Sequence, residues 1–245
     1  MIYLDAGTTY SKIIWVNNNS DTAESENLRE NFGKFLVKSS SEKDYYILPS
    51  AILKSKNFSK IFEIKKCCGH MGNADENEII ALANGSKNII DKDATILDLG
   101  SRDAKWIRFK DGKFHDMDWN TSCASSTGAT VEMLLKFYNV SRDDLEFNEE
   151  KFSVTCGTFG LEKIMDDISN GAKPVEAISK FVHGIAFNAW SFAKKPEKIY
   201  LSGGFCENKC FVESLKYYCE VELLGRFMLC EGLINSDKEG ELIHA

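Results

Sequence analysis

The chain opens on an apolar run that stops at Asp5, turns through a glycine and small polar residues, and resumes as Ile13-Ile14-Trp15-Val16. Unbroken β-type runs on both sides of a glycine turn predict a strand, a loop and a second strand over Met1 to Val16. Asn17 to Asn31 has no such run and reads as a polar surface turn. Phe35-Leu36-Val37 predicts a third strand, and Pro49 limits any helix after it to short pieces. Ile61 to Ile64 reads as a buried strand. Glu76 to Asn84 reads as a helix with Ile79, Ile80, Leu82 and Ala83 on one face and Gly85 as its C-cap. The strand, loop and strand pattern then recurs around Leu97 to Phe109, with Lys110 to Lys113 as a hairpin turn. Helical spacing follows at Val131 to Tyr138, through Leu161, Ile164, Met165 and Ile168, and over Val175 to Ala193. In that last helix Phe181, Phe187, Trp190 and Phe192 read as core packing. The duplicated layout predicts two α/β domains. The first covers residues 1–92, with 232–245 a candidate to return to it; the second covers 93–231, with no low-complexity linker between them.

The duplication extends to chemistry. Leu4-Asp5-Ala6-Gly7-Thr8-Thr9-Tyr10-Ser11-Lys12 and Leu97-Asp98-Leu99-Gly100-Ser101-Arg102-Asp103-Ala104-Lys105 each end an apolar run on aspartate, turn at glycine and place a lysine beyond. A glycine lets backbone N–H groups approach a phosphate, and an aspartate two residues earlier can hold Mg²⁺ or its water. The alternative is that such an aspartate merely caps the turn, and Lys12 could be only a solvated strand residue. A third element, Ile199 to Phe205, is a strand running into Gly203-Gly204 and then into a helix-compatible stretch with Asn208 and Lys209. A double glycine there lets a flat ring lie on the backbone, which suits an adenosine site.

Composition narrows the partners. With 245 residues, 43% of them hydrophobic and 27% charged, the chain can bury real cores. A net charge of -7 argues against nucleic acid. No stretch approaches the roughly 20 apolar residues of a membrane span. Neither a basic leader nor a signal segment precedes the first strand, so a cytoplasmic location is expected. In a reducing cytosol the eight cysteines are not expected to form a disulfide framework. Cys123, in Asn120 to Gly128, and Cys156, in Val154 to Phe159, each precede a helical stretch, where N-terminal partial positive charge stabilises thiolates.

Two phosphate loops followed by an adenosine loop resemble the actin, hexokinase and heat-shock ATPase superfamily. That resemblance implies two ribonuclease-H-like domains with ATP in the cleft between them. Asp98 to Lys105, Cys-Ala-x-x-Thr-Gly at Cys123 to Gly128, Cys-x-x-Phe at Cys156 to Phe159, and Gly203-Gly204 with Asn208-Lys209 look more specifically like the activator ATPases of 2-hydroxyacyl-CoA dehydratases. The ATPase subunits of benzoyl-CoA reductases are of the same kind. Glu78 to Gly85 sits where that family has a helix before its second loop. The resemblance implies a homodimer whose Cys123 and Cys156 ligate one shared [4Fe–4S] cluster. ATP hydrolysis with Mg²⁺ would then drive a low-potential electron to an iron–sulfur dehydratase or reductase, with ferredoxin or flavodoxin as donor. By the same mapping Asp5 and Asp98 are catalytic. Gly7, Thr8, Thr9, Lys12, Gly100, Ser101, Asp103, Lys105, Gly128, Gly203, Gly204, Asn208 and Lys209 bind nucleotide.

The chain departs from the family pattern at Ser101-Arg102, where Gly-Gln is usual, at Ser126 for glycine, at Ala129 for arginine, and at Glu162-Lys163 for a Ser-Glu pair. Two other functions therefore stay open: a small-metabolite kinase with Asp103 as base, and a nucleotide-binding regulatory protein without cluster. Cys67-Cys68-Gly69-His70 lacks the spacing of a zinc site. Cys206 and Cys210 read as packing, and His70, His115, His183 and His244 show no ligand spacing.

Overall fold

The computed structural model describes residues 1–17, 22–55, 58–70, 74–87, 89–90, 93–120, 128–153 and 157–239. The chain divides into two units, residues 1–91 with 226–245, and residues 92–225.

In the first unit, β1 (Ile2–Ala6) pairs antiparallel with β2 (Tyr10–Val16). Helix α1 (Thr22–Phe32) leads to β3 (Leu36–Ser39) and β4 (Lys43–Pro49). After short helices α2 (Ser50–Ser55) and α3 (Phe58–Ile61), β5 (Ile64–Gly69) lies parallel to β1. The sheet order is β3-β4-β2-β1-β5. Ile2, Leu4, Ile13 and Trp15 pack against Leu28 and Phe32, and the Phe32 and Phe58 rings meet edge to face at 5.4 Å. Helices α4 (Glu78–Ser86) and α9 (Met228–Glu239) pack on each other, with α9 also against β5, β1 and β2. Their backbones touch, since a Cβ on Gly85 would overlap the Met228 carbonyl and one on Gly232 the Ala81 carbonyl.

Three sequence expectations change here. The polar stretch after Asn17 contains α1, because Leu28 and Phe32, one turn apart, are enough to anchor an otherwise polar helix to the core. Ile61 ends α3 instead of opening a strand, and Phe62 fills the core beside Phe58; β5 begins only at Ile64. Gly85 is not the cap of α4: the helix runs on to Ser86 with Lys87 at its C-cap, and glycine is needed for close helix crossing.

The second unit repeats the plan. β6 (Ala94–Leu99) and β7 (Ala104–Lys110) pair antiparallel, as do β7 and β8 (Lys113–Asn120) across a turn with positive φ at Asp111 and Gly112. Helices α5 (Gly128–Phe137), α6 (Gly157–Ser169) and α7 (Pro174–Phe192) precede β9 (Lys198–Gly203), α8 (Lys209–Lys216) and β10 (Glu220–Gly225). β9 joins β6 in parallel, giving the order β10-β9-β6-β7-β8. Apolar faces of α5, α6, α7 and α8 bury Leu97, Trp106, Ile199 and Leu201 with Phe181, Ile185 and Phe211. In both units an antiparallel hairpin is followed by a strand parallel to its first arm. No helix among the described residues is long and apolar enough to cross a membrane.

Candidate functional site

Each hairpin carries one glycine loop. In the first, Asp5 is 2% exposed and faces Lys12 across the β1–β2 register, and Lys12 Nζ donates to Asp5 Oδ2 at 2.6 Å. A Cβ on Gly7 would overlap the Tyr10 carbonyl, so the turn admits only glycine. Ser50, at the start of α2, donates from Oγ to the Gly7 carbonyl at 2.6 Å and from N–H to the Thr9 carbonyl at 2.9 Å. Because that hydroxyl proton is spent, Ser11 supplies the proton of the 2.8 Å Ser11–Ser50 bond. Thr8 and Thr9 are thus held, half-buried, at the tip. On the other side of β1, Cys68 lies opposite Asp5, and burial, then the Asp5 charge, push its thiol well above the usual range. Cys230 donates to the Lys12 carbonyl at 3.4 Å.

The second loop uses the same frame with different partners. Asp98, 5% exposed, faces Lys105 across β6–β7. Lys105 is itself only 2% exposed: its Nζ lies 3.7 Å from Asp98 Oδ1 and 2.6 Å from Asp103 Oδ2. Trp119 on β8 donates from Nε1 to Asp103 Oδ2 at 3.0 Å, and its ring centroid is 5.2 Å from the ammonium. Ser202, opposite Asp98 in the β6–β9 register, donates to Asp98 Oδ2 at 2.6 Å. The Gly100 N–H donates to the Asp103 carbonyl at 3.0 Å and closes a turn with Ser101 and Arg102 at its tip. The start of α5 lies against this turn: a Cβ on Gly128 would stand 3.1 Å from the Gly100 oxygen, and the Ala129 N–H donates to the Ser101 carbonyl at 3.1 Å.

Behind it, Gly203 adopts φ +94° where its backbone meets that of Leu99, a conformation and a closeness that require glycine. Gly204 is exposed on a single 3₁₀ turn, Gly204–Glu207. Asn208 is occupied as N-cap of α8, accepting from the Phe211 N–H at 3.0 Å, and Lys209 is the exposed first residue of that helix. The second unit therefore brings together Asp98, Gly100, Ser101, Asp103, Lys105 and Gly128 around one turn. Gly203 and Gly204 follow at the end of the neighbouring strand. Sequence reading did not single out Ser202, Ser50 or Trp119; only strand register could have revealed what they face.

Cys123 and Cys156 lie outside the described residues, with α5 beginning at Gly128 and α6 at Gly157. The six other cysteines are free thiols. Burial pushes Cys210 and Cys219 up to about 11, and Cys206 donates to the Leu201 carbonyl at 3.2 Å. Among the described residues no three His, Cys, Asp or Glu side chains form a metal-binding group. His183 is buried, bonded through Nδ1 to the Asn148 carbonyl at 2.6 Å and through Nε2 to the Tyr218 hydroxyl at 2.7 Å.

Two five-stranded mixed sheets, each with a glycine loop at its hairpin, define the fold of the actin-like ATPases, built from ribonuclease-H-like units. The chain belongs to the BadF/BadG/BcrA/BcrD ATPase family, whose sequence profile matches residues 59–226. It is 24% identical over 235 residues to a 2-hydroxyisocaproyl-CoA dehydratase activator of Clostridioides difficile, covering 90% of this chain and 86% of the relative. It is 23% identical over 224 residues to an activator of lactoyl-CoA dehydratase of Anaerotignum propionicum, covering 86% and 85%. The solved structure of the activator of the 2-hydroxyisocaproyl-CoA dehydratase from Clostridium difficile, with bound ADPNP, superposes with a TM-score of 0.70 at 21% identity over 100% of both chains.

Proposed function

We propose that the chain is an ATP-driven reductive activator. It uses its two glycine loops to bind Mg²⁺ and ATP, and couples hydrolysis to low-potential electron transfer from a [4Fe–4S] cluster shared by two copies of the chain. The acceptor is a 2-hydroxyacyl-CoA dehydratase or a related reductase, and the donor a ferredoxin or flavodoxin. The carrying observation is that a member of this ATPase family, similar along its length to dehydratase activators, places a buried aspartate paired with a lysine at the root of both loops.

The donor chemistry suits both groups. Buried carboxylates at glycine turns are the hard oxygen donors that Mg²⁺ or its water prefers. Of the cysteines, those described are buried or bonded to backbone carbonyls. In the sequence Cys123 and Cys156 precede α5 and α6, and two copies of a chain would supply the four thiolates a cubane needs. Bound there, the cluster supplies a one-electron couple and the metal ion neutralises phosphate charge. The chain's own part is to fix the loops: Ser50 and Ser11 hold the first tip, and Ser202 and Lys105 fix the Asp98 carboxylate so that it need not reorganise as charge develops. The kinase alternative loses support because Asp103, its candidate base, is already bound by Lys105 and Trp119.

The test is anaerobic purification with iron and sulfide analysis and ATPase assay. About four irons per pair of chains, lost in Cys123→Ser and in Cys156→Ser, is expected. Asp98→Ala should keep the iron and lower hydrolysis by about a hundredfold or more. Colourless, iron-free protein after anaerobic expression would overturn the redox part, and unchanged turnover in Asp98→Ala would remove that carboxylate from the mechanism.

A further inference from the structure

The second loop presents a charge problem that the first does not. A side-chain cation that can reach the ligand adds to what backbone N–H groups supply in a phosphate loop, and lysine beyond the turn is the obvious supplier. Lys105 is poorly placed for it. Its ammonium is buried, shared between Asp98 and Asp103, and covered by the Trp119 ring. Engaging a phosphate would require breaking both ion pairs and leaving two carboxylates without their counter-charge. Lys12, by contrast, keeps 16% of its side chain exposed beside Asp5.

At the tip of the second turn stands another cation. Arg102 is exposed, has no hydrogen bond or ion pair among the described residues, and occupies one of the two positions enclosed by the Gly100–Asp103 bond. The turn is not loose. Asp103 is pinned from below by Lys105 and Trp119, and Ser101 is held from the side by the Ala129 N–H. A guanidinium carried on so fixed a turn costs little backbone entropy on meeting a ligand, and its planar fork matches two phosphate oxygens at once. At the first loop the corresponding tip, Thr8-Thr9, is neutral.

We propose that Arg102 is the phosphate-binding cation of the second loop, the role that spacing alone assigns to Lys105, and that Lys105 is a positioning residue for Asp98 and Asp103. The inference rests on the reading of the chain as an ATP-binding protein. It goes beyond that reading by naming the group that recognises the charged end of the nucleotide and by predicting selectivity for polyphosphate over nucleoside.

The experiment is calorimetric titration of the intact, anaerobically purified protein with Mg²⁺ and ATP, ADP or adenosine. Arg102→Gln should weaken ATP and ADP binding by about tenfold or more, the scale of a lost charge-assisted pair, and leave adenosine affinity unchanged. Arg102→Lys should recover only part of the loss, since a point charge replaces a fork. The salt dependence of ATP affinity should flatten in Arg102→Gln. Wild-type affinity for ATP in Arg102→Gln would overturn the inference while leaving the ATPase reading intact. Equal losses for adenosine and ATP would also overturn it, by showing a general defect of the loop. A wild-type protein that binds neither ATP nor ADP would sink the reading and the inference together.

Discussion

The two glycine loops share one backbone plan and are held by opposite means. In the first, the tip is fastened by neutral hydroxyls, Ser50 on the Gly7 carbonyl and Ser11 on Ser50, and the buried Asp5 is paired with a lysine that still reaches solvent. In the second, the tip is fastened by charge: Lys105 is enclosed by two carboxylates, an indole ring and the sheet. The strand beside each aspartate differs in the same sense. Cys68 offers Asp5 a buried, protonated thiol, whereas Ser202 gives Asp98 a short hydroxyl bond. A duplicated motif therefore does not imply duplicated duty: one loop is rigid because its charges are buried, the other keeps a lysine within reach of solvent.

Removing each lysine gives the largest effect and the sharpest break between the loops. Lys105→Met leaves Asp98 and Asp103 facing each other with their countercharge gone, which should cost about 3 kcal/mol or more, the scale for uncovering a buried charge. Lys12→Met uncovers one buried carboxylate, Asp5, whose lysine keeps 16% of its side chain in solvent so that water can take its place, and should cost less, about 2 kcal/mol. Urea unfolding of the two variants, followed through Trp15 for the first unit and Trp106, Trp119 and Trp190 for the second, measures the difference. Equal losses would mean that Lys105 is better solvated than its burial indicates.

The glycines invert the order. A methyl group on Gly7 runs into the backbone carbonyl of Tyr10, which belongs to the hairpin itself and cannot yield. On Gly100 it would meet Asp103 Oδ1 at 2.5 Å, the end of a side chain that can tilt at the expense of its bond to Trp119. Gly7→Ala should therefore cost about 2 to 3 kcal/mol and Gly100→Ala about 1. Thermal melting with the same reporters separates them, and a larger loss at Gly100 would show that the Lys105 network is stiffer than the first turn.

How much of this could be read from the chain follows from what fixes each part. The loops were legible because aspartate and lysine are seven residues apart in both, a spacing that a tight hairpin converts into cross-strand register, Asp5 with Lys12 and Asp98 with Lys105. The glycine turn after β9 was legible because Gly203 needs its positive φ wherever the rest of the sheet lies. Ser202 was not, since its meaning depends on parallel pairing with a strand 104 residues earlier. Gly85 misled because a helix-ending glycine and a helix-crossing glycine look alike until Met228 is known to lie over it. Helix α1 was missed because two apolar side chains, Leu28 and Phe32, carry its packing within a polar stretch. For Lys105, spacing reports which strand position it holds and says nothing of Asp103 and Trp119 closing over it.

The smallest expected difference is in response to acid, and it again sets the units apart. In the second unit burial holds the His183 imidazole below its ordinary value of 6.5, helped by Lys151 and resisted by backbone bonds at Asn148 and Glu150. The unfolded chain then takes up this proton first, so the stability tied to neutral His183 is complete above about pH 6.5 and is lost as pH falls from there through the lower folded value. The corresponding buried group of the first unit is Asp44. Burial raises it, but bonds from Arg29, Ser39 and Tyr46 outweigh burial and hold it below 3.8, so its contribution survives until the pH drops beneath that value. Glu132, lifted above 4.5 by burial, acts oppositely in the second unit and blunts the loss only near its own range. Between about pH 7.5 and 5.5 the tryptophan-reported melting of the second unit should therefore fall while that of the first stays level, and His183→Gln should flatten the slope. A slope unchanged by that substitution would assign the acid sensitivity to a group other than the imidazole between Asn148 and Tyr218.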